Sequence, residues 1–430
     1  MSALLDGELA TLRWVREDLL RRGSKRIDPT NGRDGMTAEQ VLRALIIKQM
    51  NGYSYEELAF HLADSSCYRS FCRIGVADAP PTKARLQKNI KRIRAISWQR
   101  INEAVLVAAE RHRVERGRKV RTDCTVVESN IHHPTDSSLL NDCVRVLARL
   151  QWEARELFGF PFSDHTLRAK RRAMGILNAK NNERRVPLYR DLLAVTEKTL
   201  RNGERVALQL DTAKSADVIA MVRGMAIAQQ LRHYGELTKQ VIDQAQRRVL
   251  GGEQVPASEK IVSIFEPHTD VIVKDRRETL YGHKICLTAG ASGLITDVVV
   301  EDGNPADSTL AVNMVRRQQA LYGRVPRQVS FDGGFTSKAN LADIKALGVE
   351  DVAFSKRAGI PITDMTKSTW VYRRLRDFRA GVEGTISFIK RVFGLDRCTW
   401  SGLPSFKAYV AGSVLACNLL VLARHLLARA

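Results

Sequence analysis

The hydrophobic positions change period along the chain, and the changes mark out its parts. In "MTAEQVLRALIIKQMNGYSYEELAFHLADSS" the pattern predicts a helix over about Thr37 to Met50, a turn at Asn51-Gly52, and a second helix. Ser54 with Glu57 forms a capping box that starts the second helix. A third helix is expected to begin at a Thr82 cap and to carry Lys83, Arg85, Lys88, Lys91, Arg92 and Arg94, giving a helix-turn-helix-like region with a basic face. A long stretch from about Leu139 to Leu250, rich in Leu, Ala and Arg, predicts further helices. Breaks are expected at Gly159-Phe160-Pro161, Asn181-Asn182 and Asn202-Gly203, and "GGEQVP" (251–256) reads as an exit linker.

Around these blocks the period shortens to that of strands. "KVRTDCTVVES" (119–129) is one candidate strand; "HKICLTA" (283–289) and "LITDVVV" (294–300), joined by a turn over 290–293, predict a hairpin. A helix over about 307–322, a strand at 327–331, a helix at 337–347, a strand at 351–355 and a helix at about 372–393 follow. With the helical block removed, the order is that of an α/β ribonuclease H-like fold, a mixed sheet with flanking helices. The expected organisation is a helical DNA-binding domain (1–118), the first strand of the catalytic domain (119–138), a helical insertion between the first and second strands (139–256), and the rest of the catalytic domain with a C-terminal helix (257–430).

Composition sharpens the picture through charge. The 430 residues carry 68 Lys+Arg against 47 Asp+Glu, a formal net charge of +21. Residues 1–81 contribute 11 basic and 11 acidic residues, whereas 82–122 contribute 13 basic and three acidic ones, so about half of the surplus sits just before the first strand. Such a run is ordinarily a solvated face; the scarcity of acids within it favours phosphate contact. The basic knot "RAKRR" (168–172) is open to either reading. Seven cysteines, odd in number and without a C-x-x-C pair, fit a reducing cytoplasm, with Cys67 and Cys72 as ordinary thiols. The N-terminus lacks the apolar core of a signal peptide. The apolar run Ala408 to Ala423 contains Asn418 and falls short of the ~20 residues that span a bilayer, so a buried helix is expected and no membrane partner.

The strand order gives three acids a chemical meaning. In such a sheet the first and fourth strands are neighbours, bringing Asp123 on the first towards Asp332 at the end of the fourth. A late helix, the one over about 372–393, packs across the same edge. Arg376, Arg379, Glu383 and Lys390 lie on one stripe of that helix at a 3.6-residue period. Carboxylates converging from distant segments repel unless they bind hard cations, and oxygen ligands suit two Mg2+, with Mn2+ as a possible substitute. Rival acids are Asp211, Asp270, Asp297, Asp302 and Asp307, the last expected as a helix cap. His132 and His133 read as loop residues, with DNA contact as the other possibility.

Four stretches carry a family resemblance: "TDCTVVESNIHHPTDSSLL", "YGHKICLTAGASGLITDVVVEDGNPADS", "VSFDGGF" and "LRDFRAGVEGTISFIKRVFGLDRCTW". Together they resemble bacterial insertion-sequence transposases of the DDE type, nearest the loosely classified ISNCY group. The resemblance implies that Asp123, Asp332 and Glu383 hold the two divalent metals. Many relatives carry a Tyr-x2-Arg-x3-Glu-x6-Lys signature; Arg379, Glu383 and Lys390 match it, while Arg376 stands at the Tyr position. Asp332 and Glu383 are 51 residues apart (383 − 332), leaving no room for the insertion some relatives carry there. The implied activity is cleavage at terminal inverted repeats and strand transfer into target DNA, by at least a dimer on DNA. DNA contacts are expected from Arg376, Arg379, Lys390, Lys88, Lys91, Arg92 and Arg94. The alternatives are a catalytically silent DNA-binding regulator and a ribonuclease H-like nuclease that cuts without joining.

Overall fold

The computed structural model describes residues 1–22, 25–26, 35–274 and 278–429. It divides into two compact units, one formed by Met1–Asn130 with Gly282–Ala430 and the other by Ile131–Tyr281.

The first unit is organised by five strands: β1 (Lys119–Glu128), β2 (Glu278–Gly290), β3 (Ile295–Val300), β4 (Gln328–Phe331) and β5 (Asp351–Phe354). Their spatial order is β3-β2-β1-β4-β5, and the short strand Asp270–Lys274 also lies beside β2, making six strands in the mixed sheet. β2 runs antiparallel to both β1 and β3, while β4 is parallel to β1 and β5 parallel to β4. This architecture is consistent with the expected ribonuclease H-like sheet. The β2–β3 hairpin closes on Gly290, whose N–H donates to the Leu294 carbonyl at 2.9 Å, and on Gly293, whose φ of 85° lies where a side chain would be strained. β4 and β5 are short and apolar because helices cover them: Val329, Phe331, Val352, Ala353 and Phe354 are all buried. The intervening crossovers are the helices Ala311–Tyr322 and Lys338–Ala346. The first begins four residues later than expected, since Asp307–Thr309 forms a 3-10 turn.

The N-terminal helices form where their caps predict. Ala38–Asn51 starts on a Thr37–Gln40 capping box and stops at Gly52 (φ 66°), and Tyr55–Asp64 starts on the Ser54–Glu57 box. The third helix differs from expectation. It is capped by Thr82 but covers only Lys83–Ile90, so Lys91, Arg92 and Arg94 lie beyond its end. Asp18 explains the stop: it accepts the Arg94 backbone N–H at 2.9 Å and the Arg94 Nε at 2.6 Å, making Arg94 the start of a new helix, Ala95–Arg111.

These helices share one hydrophobic core with Val127, Ile285, Leu287, Ile295 and the C-terminal helix Leu403–Leu427. That helix is long and apolar enough to cross a bilayer by composition alone, yet Tyr409 to Leu419 are buried throughout. Asn418 accounts for the one polar interruption. Its Oδ1 accepts the Ile295 N–H at 2.8 Å and its Nδ2 donates to the Ile295 carbonyl at 2.7 Å and to Asn102 Oδ1 at 2.8 Å, satisfying the first residue of β3.

The second unit contains the helices Asp136–Phe158, Thr166–Asn178, Asn182–Thr212 and Val218–Ala245, packed around a core of their own. The break expected at Asn202-Gly203 is absent; a single helix runs through it. Gly203 is buried against Gln151, Leu147 and Leu231 of the two neighbouring helices, and this tertiary packing overrides its low helix propensity. In "RAKRR", Arg168 and Arg172 both pair with Asp191, so two of its charges are used internally.

Candidate active site

Asp123 sits within β1 and Asp332 directly follows β4. The parallel register pairs Thr122 with Phe331, so the two acids come next along adjacent strands. β4 and β5 pair Phe331 with Phe354, which puts Ser355 level with Asp332, and its hydroxyl donates to Asp332 Oδ1 at 2.9 Å.

Glu383 reaches the same edge on the helix Thr369–Phe393. The sheet fixes that helix through three side chains. Arg121 Nη1 donates to the Phe378 carbonyl at 2.8 Å and Nη2 to Thr385 Oγ1 at 3.3 Å. The Ser330 hydroxyl donates to the Leu375 carbonyl at 3.0 Å, and the Tyr372 hydroxyl to the Phe354 carbonyl at 2.9 Å. Arg121 passes close to Gly381, where a Cβ would meet Nη1 and push the guanidinium aside. Arg121 and Ser330 each lie two residues before an acid, on the same face of the strand, so the strands that carry Asp123 and Asp332 also hold the helix of Glu383.

The three acids converge on Arg379. Its Nη2 lies 3.0 Å from Asp123 Oδ2 and 3.0 Å from Asp332 Oδ1, and its Nη1 lies 3.0 Å from Glu383 Oε1. The pocket is graded in depth: side-chain exposure is 13% for Asp123, 40% for Asp332, 67% for Glu383 and 15% for Arg379. Burial pushes the Asp123 carboxyl above its ordinary range, although Arg379 and the Cys124 N–H oppose the shift. Burial acts on Asp332 in the same sense, but the Gly333 N–H, the Ser355 hydroxyl, Arg379 and Lys356 together outweigh it and hold that carboxyl below its usual value.

The donors are all oxygen and come from three separate elements, a set whose chemistry fits hard divalent cations. Among the described residues, no group of three His, Cys, Asp or Glu is spaced to take a metal directly; the carboxylates are gathered on the guanidinium. The rival acids are engaged elsewhere. Asp297 pairs with Arg317 and Asp211 with Arg232; Asp302 is 3.7 Å from Lys407; Asp307 meets Lys284 at 2.5 Å. Asp270 opens the short strand beside β2. His132 lies 3.7 Å from Asp142 and His133 packs edge-on against Tyr281.

Of the basic residues singled out in the sequence, only Arg379 touches the acids. Arg376 is exposed on the same helix, and Lys390 lies 3.4 Å from Asp396. Lys88 is exposed and Lys91 half-buried; Arg92 donates to the Leu19 carbonyl at 3.4 Å and Arg94 is held by Asp18. Sequence reasoning missed Arg121, Ser330 and Ser355. The period-2 alternation of the strands marks the first two, whereas Ser355 becomes visible only once the β4–β5 register is known.

Asp123 within β1, Asp332 just beyond β4 and Glu383 on the late helix thus meet at one place on the sheet. The family comparisons bear on the same segments. Residues 273–419, which include Asp332 and Glu383, match the Transposase DDE domain, and residues 3–92 match the Transposase domain (DUF772). The chain belongs to the insertion-sequence transposases of the DDE class. No curated protein and no solved structure gives a significant match.

Proposed function

We propose that this transposase binds the terminal inverted repeats of its element, cleaves DNA at their ends and joins the freed 3'-OH to target DNA, using Asp123, Asp332 and Glu383 on a ribonuclease H-like core. The observation that carries the reading is the meeting of three carboxylates from β1, β4 and a late helix on one guanidinium. A structural ion pair needs one acid, and a DNA-binding regulator has no use for three facing a phosphate polyanion.

The three carboxylates would hold two divalent cations, Mg2+ or in its place Mn2+. When bound, these supply Lewis-acid activation of the attacking oxygen and charge stabilisation of the departing one. The protein's own part is positional. Asp123, fixed in the centre of the sheet, and Asp332, oriented by Ser355 and the Gly333 N–H, set the floor of the site. Glu383, the most exposed of the three, faces the incoming strand. Arg376 and Lys390 neutralise flanking phosphates, and Lys88, Lys91 and Arg92, with Arg94 beside them, contact the DNA backbone away from the reacting bond. Holding two ends at once calls for at least a dimer on DNA. Membership of the ISNCY group and action in the bacterial cytoplasm complete the proposal.

Asp332→Asn tests the assignment. On duplex DNA carrying the inverted repeats that flank the coding region, Mg2+-dependent cleavage should fall at least about a hundredfold, the scale on which even supporting contacts affect a metal site. Band-shift affinity for the same duplex, measured without divalent cation, should stay within about threefold, because the acid makes none of the proposed phosphate contacts. Undiminished cleavage by this variant would remove Asp332 from the site.

A further inference from the structure

Arg379 holds the same oxygen atoms that a divalent cation would need. One guanidinium spans Asp123, Asp332 and Glu383 at 3.0 Å each, and its side chain is 15% exposed. Its Nε is buried without a hydrogen-bond partner, so the three acids do not use every N–H of the fork. An arginine cannot discharge itself by losing a proton, and therefore leaves such a cluster only by moving. Its helix carries other cations on the same stripe, exposed Arg376 before it and half-buried Lys390 beyond Glu383.

We propose that Arg379 is an internal counter-ion that competes with the divalent cation for the three carboxylates, and that DNA phosphate, by drawing the guanidinium away, couples cation loading to DNA binding. The inference rests on the proposed acidic site and deepens it. Before DNA arrives, Arg379 offsets the repulsion among the carboxylates and keeps them together, while disfavouring a fully loaded site. A phosphate group at the site offers two non-bridging oxygens as a bidentate acceptor for the fork, including the unused Nε. The guanidinium then passes from carboxylate to phosphate, freeing the oxygens as the scissile strand is seated. By reciprocity, the cation must tighten DNA binding by the same factor that DNA tightens cation binding. Arg379 is thus a positioning residue that acts through the carboxylates.

The test is calorimetric titration of Mn2+ into the full-length protein, with and without inverted-repeat duplex, for the wild type, Arg379→Gln, Arg379→Lys and Asp332→Asn. Without DNA, Arg379→Gln should bind Mn2+ about tenfold more tightly than the wild type, with Arg379→Lys between them. Its melting temperature without Mn2+ should fall below that of the wild type and recover on adding Mn2+. Duplex DNA should tighten Mn2+ binding to the wild type by a similar factor of about ten and leave Arg379→Gln nearly unaffected. Equal or weaker Mn2+ binding by Arg379→Gln without DNA overturns the counter-ion role. Where the Gln variant fails to fold, Arg379→Lys decides, and an affinity equal to the wild type overturns the role. If Asp332→Asn binds Mn2+ as tightly as the wild type, the acidic site itself is wrong. Loss of binding in Asp332→Asn with no gain in Arg379→Gln rejects only the present inference.

Discussion

At the scale of single residues, two buried polar groups show how the chain fixes its geometry. Asn418 replaces ladder partners at the first residue of β3 and ties it to the C-terminal helix and to Asn102. Asn418→Leu would leave the Ile295 N–H and carbonyl and the Asn102 amide without those partners inside the core. We expect a loss of about 3 kcal/mol in denaturant unfolding; an unchanged midpoint would mean the hydrogen bonds are dispensable. Ser355 acts on the chemistry instead, since its hydroxyl orients Asp332. Ser355→Ala should weaken Mn2+ binding by about tenfold with no change in melting temperature, as loss of a supporting hydrogen bond does at other metal sites. The acids themselves were legible in the sequence, because strand order alone brings Asp123 beside Asp332. Their shared pairing with Arg379 was not, since helical spacing placed Arg379 near Glu383 but gave no view of the two strands beneath it.

Among the elements, the helix Thr369–Phe393 decides whether the site exists, for it carries both Glu383 and Arg379. Its seat on the sheet depends on Arg121, whose guanidinium bonds the Phe378 carbonyl and Thr385, passes beside Gly381 and lies over the Phe378 ring at 4.7 Å. Arg121→Met keeps the apolar stem and removes the hydrogen bonds. It should cost about 2 kcal/mol of stability and lower cleavage more than DNA binding, because it shifts Glu383 while the proposed contacts from Lys88, Lys91 and Arg92 lie off this helix. Full cleavage activity in a destabilised Arg121→Met protein would show that the helix does not need this anchor. Element boundaries were read well wherever local chemistry sets them: the Thr37, Ser54 and Thr82 caps and the Gly290–Gly293 turn all lie at their predicted places. The misreadings came where distant partners decide. Asp18, 76 residues before Arg94, ends the basic helix early, and packing from two other helices carries a helix through Gly203.

For the whole molecule, the surplus of charge reads differently once partners are known. Arg94, Arg168 and Arg172 are committed to internal acids, whereas Lys88 and Arg376 are exposed. Replacing Lys88 and Lys91 together by Ala should lower the slope of log affinity against log salt by about two, one for each phosphate left without its cation. An unaltered slope would move the DNA interface elsewhere. The N-terminal helices share their core with the mixed sheet, so this basic segment and the three acids belong to one compact unit, while the insertion folds on a core of its own. The proposed function requires that this unit join DNA strands as well as cut them. The direct measurement is a strand-transfer assay with precleaved inverted-repeat ends, supercoiled target DNA and Mg2+, run with the wild type and Asp332→Asn. Covalently joined ends are expected with the wild type and none with the variant; cleavage of the target without joining, or joining by Asp332→Asn, would rule out strand transfer at these acids.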